Sequence, residues 1–373
     1  MNINNRSFGL QTSKREVRLL VCVAIIPARN EEETIADTLG SLFLQTRLPD
    51  KVIVVANNCT DNTANVARQS GAEVLVMNEN KHMKAGALNY ALDMVIPDLD
   101  EQDCILIMDA DTLLSEDLVE QCIQVLNENE HAGAVGSIFT GRRVSSFLGY
   151  LQVMEYWRYK RQIHRNGNRA FVLSGTASVF RVGGLTAVKE GRNNGIIPYG
   201  GGGYYDVFGR TEDNEITLAL LMLDFDCPSA NTTSITDVME SPKQLYRQRE
   251  RWYNGALVNL KAYGRSLPWY LRWVYWKQQF GLLFSLSFLF SWLSLMLASY
   301  LFLDGITVTA LWFVPVIILS FERTLTVWQL GWKARIIAIT VIPEQLYSIF
   351  LLLVYGLALK NFVIGHRGQW HTT

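Results

Sequence analysis

The chain has 373 residues, enough for one large domain or two ordinary ones, and its 34 basic side chains nearly balance 35 acidic ones, for a net charge of −1. That balance excludes a dedicated nucleic-acid binder, whose phosphate contacts need a cationic excess. The arginines between 247 and 251 are therefore a local device, and the five cysteines (Cys22, Cys59, Cys104, Cys122, Cys227), which show no CxxC spacing, read as reduced thiols.

Residues 1–18 are polar, and "LLVCVAIIP" (Leu19 to Pro27) is too short for a signal core and lacks a small-residue cleavage site, so the first 240 or so residues are expected in the cytoplasm. Short β-branched runs then alternate with helical patterns. "VCVAII" is followed by "EEETIADTLGSLFLQ", then "KVIVVA", "TANVARQS", "AEVLVM", "KAGALNYALDMV", "CILIMD" and "SEDLVEQCIQVL". Such alternation, with strands that are apolar throughout, predicts an α/β fold with a parallel sheet covered on both faces. Ligands bind such sheets beyond the carboxyl ends of the strands, which directs attention to "PARNEEE", "NNCTDNT" and "DADT". The first strand leads into Pro27-Ala28-Arg29-Asn30, with no G-x-G-x-x-G turn, so a dinucleotide-binding fold is not indicated. The glycine run at 200–203 reads as a flexible loop.

Three stretches carry chemistry. In "ILIMDADT", Asp109 and Asp111 close a buried strand and, at i and i+2, point the same way. Two converging carboxylates repel unless a cation lies between them, and oxygen-only ligation suits Mg²⁺ or Mn²⁺; the alternative is a helix cap followed by solvated acids. In "RTEDNEITLAL", Thr211, Glu212 and Asp213 precede a helix, either as a cap with dipole-favoured acids or as the setting of a general base. In "ESPKQLYRQRERW", Ser-Pro predicts a helix start with no breaker until Gly255. On that helix Gln248, Arg251 and Trp252 share one face, suited to a pyrophosphate and a stacked sugar, while Arg249 and Glu250 point elsewhere and read as bystanders.

The last hundred residues are different in kind. Gln278 to Leu303 contains no charged residue and exceeds the roughly 18–20 residues needed to cross a bilayer. Gly305 to Phe321 is a second uncharged run, and Ile336 to Leu359 a third, interrupted by Pro343 and Glu344. "LPWYLRWVYWKQQF" before the first run reads as an interfacial helix. Arg323, Lys333 and Arg335 place the loop after the second run inside, and Lys360, His366 and Arg367 place the tail inside too, so 336–359 is expected to re-enter or lie at the interface, broken at Pro343.

The interval from Asp213 to Gln248 is 35 residues, and the order D…DxD…D(35)QxxRW, with "VVANNCTDNT", "KAGALNYAL", "LSGTASVFR" and "TEDNEIT", resembles the membrane-integrated family-2 glycosyltransferases. These include the cellulose, chitin, hyaluronan and poly-N-acetylglucosamine synthases, and the resemblance runs from about Val21 to the end of the membrane region. It implies a GT-A nucleotide-sugar-binding domain with a mainly parallel sheet, followed by a C-terminal α-helical transmembrane region. The expected divisions are a polar tail at 1–18, a cytoplasmic GT-A domain at 19–264, an interfacial helix at 265–280, transmembrane or interfacial helices at 281–363 and a cytoplasmic tail at 364–373.

By the same resemblance, Asn58 and Asp61 lie near the nucleoside, in a turn where the family's usual acids read Asn57-Asn58. Lys84 lies near the donor phosphates, and Asp109 and Asp111 hold the donor and its Mg²⁺ or Mn²⁺. Asp213 is the base that deprotonates the acceptor hydroxyl, with Glu212 beside it as a second catalytic residue. Gln248 and Arg251 bind the pyrophosphate, and Trp252 lines the acceptor site with Ser174, Gly175 and Thr176. Trp370 and Thr372 would gate the site. The implied reaction is inverting transfer from a nucleotide sugar, UDP-N-acetylglucosamine first, to a growing β-linked polysaccharide at the cell membrane. A single transfer to a lipid acceptor is the alternative, since ceramide glucosyltransferases share a similar motif set. Two or three spans make a narrow channel unless chains assemble into a homo-oligomer or a small partner subunit helps. An inactive scaffold does not fit a chain that keeps Asp109, Asp111, Asp213 and Arg251.

Overall fold

The computed structural model describes residues 20–302 and 313–365, apart from 143, 170 and 171. The sequence readings at residues 1–18, His366, Arg367, Trp370 and Thr372 lie outside these residues, as does the first part of the second apolar run. The amino-terminal half opens with β1 (Cys22–Ala28), α1 (Ile35–Phe43), β2 (Lys51–Asn57), α2 (Thr63–Gln69), β3 (Glu73–Met77), α3 (Met83–Val95) and β4 (Cys104–Met108), matching the predicted alternation to within a few residues. These four strands pair in parallel, in the order β3-β2-β1-β4.

Alternate residues of each strand feed opposite cores, which is why the strands read as unbroken apolar runs. Val23, Ile25, Ile53, Val55, Ile105 and Ile107 pack on α3, whereas Ala24, Ile26, Val52, Val54, Leu106 and Met108 pack on α1 and on α4 (Leu118–Glu128). Cys22, Cys104, Cys122 and Cys227 are buried free thiols and Cys59 is half-buried.

Beyond β4 the sheet changes direction. It continues through β5 (Leu113–Leu114), β6 (Ala134–Gly141), β7 (Ala177–Arg181) and β8 (Ser229–Thr236), and the full order is β3-β2-β1-β4-β7-β6-β8-β5. Strand β7 lies antiparallel between β4 and β6, while β6 and β8 are parallel, so the sheet is mixed. The long helix α5 (Phe147–Arg165) separates β6 from β7 and lets the chain return in the opposite sense. The reversal positions the site. Met108 pairs with Ala177, so the segment just before β7 meets the carboxyl end of β4, and the Asp109 N–H donates to the Thr176 carbonyl at 3.1 Å.

Helices α6 (Val182–Asn193), α7 (Glu212–Met222) and α8 (Pro242–Tyr263) complete the domain. Ser241 caps α8: its hydroxyl accepts from the Gln244 N–H at 3.3 Å, and Gln244 returns a bond to the Ser241 N–H at 3.2 Å. Pro242 occupies the first turn, where its missing N–H is harmless. The helix does not stop at Gly255 but runs on to Tyr263, for a reason given below.

The remaining elements are α9 (Trp269–Phe302), α10 (Phe313–Thr326), α11 (Trp332–Thr340) and α12 (Ile342–Ile364). Among the described residues, α9 and α12 are long and apolar enough to cross a membrane. At 1.5 Å per residue the 34 residues of α9 extend for about 50 Å, more than a bilayer core of about 30 Å. The expected boundary at 280 falls inside this helix, because nothing from Trp269 to Phe302 interrupts it. The third apolar run is split at Val341 (φ 61°), two residues before Pro343, into the short α11 and an unbroken 23-residue α12, which is long enough to cross a bilayer. Glu344 is 4% exposed and pairs with Arg158 of α5 at 2.6 Å, so the acid that interrupts the run anchors α12 to the globular domain.

Candidate active site

The carboxyl ends of β1, β2, β4, β6 and β8 share one edge of the sheet, and the reversed β7 adds its amino end to them. Asp109 and Asp111 follow β4 in a turn held by the Thr38 hydroxyl of α1, which donates to the Ala110 carbonyl at 2.7 Å. Burial first, then the negative charges of Asp109, Glu31 and Asp237, push the Asp111 carboxyl up to about 7. A carboxylate made costly to ionise by like charges is one that a divalent cation stabilises. Among the described residues no cluster of three or more His, Cys, Asp or Glu side chains forms a metal cage. A pair of carboxylates with all-oxygen donors fits a cation whose other ligands come from substrate phosphates and water.

Lys84, on the first turn of α3, bridges the two acidic groups. Its Nζ lies 2.6 Å from Asp109 Oδ1 and 3.2 Å from Glu212 Oε1. Glu212 and Asp213 begin α7, where the helix dipole favours negative charge. Burial disfavours the ionised form of both and is the largest influence at Glu212, but Lys84, a backbone N–H and Arg251 together outweigh it there and hold that carboxyl below its usual range. At Asp213 burial and the neighbouring Glu212 charge prevail over Lys84, the Asn214 N–H and Arg251, and the carboxyl is pushed up to about 6. Two adjacent carboxyls with separated titrations offer one permanent anion and one group able to exchange a proton near neutrality.

The segment Ser174-Gly175-Thr176 lies against this pair. A Cβ on Gly175 would sit 3.2 Å from Asp213 Oδ2, so any larger residue there would press on that carboxylate. Hydroxyls lock the segment in place: Thr176 bonds Ser234 at 2.8 Å, and Ser234 bonds Ser137 at 2.8 Å. The Thr217 hydroxyl accepts the Leu173 N–H at 3.0 Å. Lys84, Ser174, Gly175, Glu212, Asp213 and Tyr205 share one small cavity.

Helix α8 is pressed onto the start of α7. A Cβ on Gly255 would be 2.4 Å from Thr211 Oγ1, and Asn259, buried, donates to Asn214 Oδ1 at 2.8 Å and to Thr211 Oγ1 at 3.2 Å. Gln248, Trp252, Gly255 and Asn259 therefore continue one stripe at i, i+4, i+7 and i+11. That spacing was the available signal for Gly255 and Asn259, which the sequence reading missed. Arg251 is exposed, and its charge acts on both Glu212 and Asp213. Gln248 Oε1 is buried with no hydrogen-bond partner among the described residues.

Two expected donor-site residues are engaged elsewhere. Asn58 Nδ2 donates to the Asn80 carbonyl at 2.7 Å, and Asn58 Oδ1 accepts the Asn80 N–H at 3.1 Å, so this amide stitches the β2 turn to the loop before α3. Asp61 accepts from the Thr63 N–H and the Glu32 N–H, both at 3.1 Å, and frames the turn rather than projecting from it. Arg249 departs from its reading as a bystander: it is 4% exposed and paired with Glu155 at 2.8 Å. A buried network also escaped notice. Arg192 pairs with Glu215 at 2.7 Å and donates to the Pro198 carbonyl at 2.9 Å, tying the glycine-rich loop to the base of α7.

Comparison with known proteins agrees with this geometry. Residues 23–188 match the model of glycosyl transferase family 2. The chain is 28% identical over 263 residues to the poly-β-1,6-N-acetyl-D-glucosamine synthase of Staphylococcus epidermidis, covering 68% of this chain and 58% of that protein. It is 26% identical over 238 residues to the synthase of the same name from Staphylococcus aureus strain COL, covering 62% and 53%. The chain thus spans little more than half the length of these relatives. Among solved structures, the mannosyltransferase PcManGT from Pyrobaculum calidifontis, in complex with GDP-Man and Mn²⁺, has a TM-score of 0.62 at 16% identity, covering 93% of this chain and 88% of that one, which establishes the fold. Residues 23–188 thus match glycosyl transferase family 2, in a domain of GT-A fold that apolar helices follow, and the chain is similar to the poly-β-1,6-N-acetyl-D-glucosamine synthases.

Proposed function

We propose that the protein transfers a sugar, with inversion, from a nucleotide-sugar donor to a growing β-linked polysaccharide at a membrane. The observation that carries this reading is the convergence on one point of Lys84, 2.6 Å from Asp109 and 3.2 Å from Glu212, with Asp213 next to Glu212 and against Gly175; the shifts at Glu212, downward, and Asp213, upward, accord with it. In this account the acceptor hydroxyl lies against Ser174–Thr176 and gives its proton to Asp213. Its oxygen attacks the anomeric carbon as the nucleoside diphosphate departs from the opposite face. One displacement inverts configuration, so an α-linked donor yields a β-linked product. Arg251 and Gln248 steady the departing diphosphate, where charge develops. Asp109 and Asp111 would hold a Mg²⁺ or Mn²⁺, which would supply further positive charge to that leaving group. The metal pairing draws support from the Mn²⁺ and GDP-Man of the Pyrobaculum enzyme, and UDP-N-acetylglucosamine as donor from the name of the staphylococcal relatives.

The paired apolar helices favour a multi-pass membrane protein with the catalytic domain on the cytoplasmic side. These two helices among the described residues enclose by themselves little room for a polymer, which supports the second reading, single transfer to a lipid acceptor. Purified protein in detergent, given Mg²⁺ or Mn²⁺ and a panel of nucleotide sugars, separates the readings. Release of UDP from UDP-N-acetylglucosamine with a product many sugars long is expected. A product limited to one sugar on a lipid would replace the polymer by the lipid acceptor, and no turnover of any donor would overturn both.

A further inference from the structure

Arg249 lies inside the stretch that binds donor and acceptor in the reading above, yet it faces away from the exposed Arg251 and into the protein. Its Nη2 donates to Glu155 Oε2 of α5 at 2.8 Å and reaches Tyr347 Oη of α12 at 3.5 Å. Tyr347 in turn donates to the same carboxylate oxygen at 2.6 Å. The guanidinium carbon lies 4.3 Å from the centroid of the Trp252 ring, one turn along α8, and 5.9 Å from that of Tyr156. Its Nε is buried without a hydrogen-bond partner among the described residues, so the group is oriented for stacking and for Glu155 rather than for the most hydrogen bonds.

Burying a guanidinium costs several kcal/mol in lost hydration, and apolar side chains would join three helices at least as well. What a flat cation adds is orientation: it fixes the plane of the indole it stacks on. The same helix pair is held at further points, by Tyr253 against Tyr355 with ring centroids 5.5 Å apart and by Asn361 donating to Glu250 at 3.3 Å. Trp252 is thus carried on a helix that α12 braces along its length.

We propose that Arg249 is a positioning residue for the acceptor: it fixes the Trp252 indole as the platform for the acceptor sugar and, through Glu155 and Tyr347, couples that platform to the apolar helix α12. This rests on the transferase reading and on Trp252 as part of the acceptor site. The acceptor end is thereby held where the catalytic domain meets the membrane helices, and movement of α12 changes acceptor affinity before it changes donor affinity.

The test measures steady-state kinetics of the purified full chain with UDP-N-acetylglucosamine and a short β-1,6-linked N-acetylglucosamine oligosaccharide as added acceptor. Arg249→Met is expected to raise the acceptor KM by about tenfold, the scale of a desolvated cation–π contact, with the donor KM changed by less than about twofold. Arg249→Lys should recover part of the loss, and Glu155→Gln should shift the acceptor KM in the same direction by less. In the Trp252→Ala background, Arg249→Met should add nothing, because the two residues act as one unit. If Arg249→Met does not fold, Arg249→Lys and Glu155→Gln carry the comparison. Equal rises in donor and acceptor KM, a fall in kcat alone, or additive effects with Trp252→Ala would make Arg249 a mere structural clamp and overturn the proposal. Wild-type protein that turns over no nucleotide sugar overturns the transferase reading instead, and this inference with it.

Discussion

Glu212 and Asp213 are neighbours in sequence that Lys84 drives apart in behaviour. The lysine touches one carboxylate and leaves the other to burial and to the charge beside it. Because the Asp213 carboxyl is raised, its base form is dominant above about pH 6 and is lost as the pH falls through that value. Transfer is therefore expected to decline about tenfold per pH unit below 6, where an ordinary aspartate would keep its activity down to about pH 4; initial rates across pH 5 to 8 check this. The sign for stability is opposite. A carboxyl that binds its proton more tightly in the folded state destabilises the fold as the pH rises through the same window. Asp213→Asn is accordingly expected to unfold no earlier than wild type at neutral pH, which thermal unfolding checks. At this scale the acids were legible in the sequence, because i and i+2 at a strand end and acids at a helix start restrict where carboxylates point. The bridging role of Lys84 was not, since it depends on α3 and α7 meeting across more than 120 residues. Nor were the engagements of Asn58 and Asp61, whose partners lie in another loop or strand connection.

At the level of elements, the site is made by two arrangements: β7 running against its neighbours, and α8 lying on the first turn of α7. Strands β1, β2 and β4 were legible because they are buried on both faces and almost wholly apolar, and β3, a half-buried edge strand, because its sequence is still a β-branched run. Strands β6 to β8 were not, and the polar "SANTTSIT" of β8 shows why. Several of its buried hydroxyls bond to side chains of neighbouring elements, Ser234 to Ser137 and Thr176 and Thr232 to Asp117, so a buried strand carries no hydrophobic signature. The start of α8 was legible from Ser-Pro, but Gly255 suggested an end where the helix continues, because its glycine serves close packing on Thr211 rather than termination. Gly255→Ala is therefore expected to force α8 and α7 apart and to lower transfer by tenfold or more, although alanine is the better helix former by about 1 kcal/mol. Unchanged far-ultraviolet circular dichroism with reduced turnover would be the matching result, whereas full activity would show that the contact does not hold the site.

For the whole molecule, a catalytic domain and an apolar helical region are joined through charge as well as grease. Arg158 with Glu344 and Arg249 with Glu155 connect α5, α8 and α12, so the globular part does not hang on a flexible linker. The apolar runs were legible from composition and the break of the third from Pro343, to within two residues of Val341; the unity of α9 was not, since it depends on local backbone geometry and not on hydrophobicity. Side chains such as Phe284, Phe288 and Leu295 are exposed on α9, an apolar surface suited to lipid. The protein is expected to stay with membranes through an alkaline carbonate wash and to be released by detergent; release by carbonate alone would contradict the reading of α9 and α12 as membrane helices. The account as a whole stands on Asp213 as the base of a single displacement. The most direct measurement is turnover of the active nucleotide sugar by Asp213→Asn beside wild type at pH 7, with donor binding followed on the same preparations. A loss of at least about a hundredfold with donor affinity unchanged is the expected result, and turnover within about twofold of wild type would contradict it.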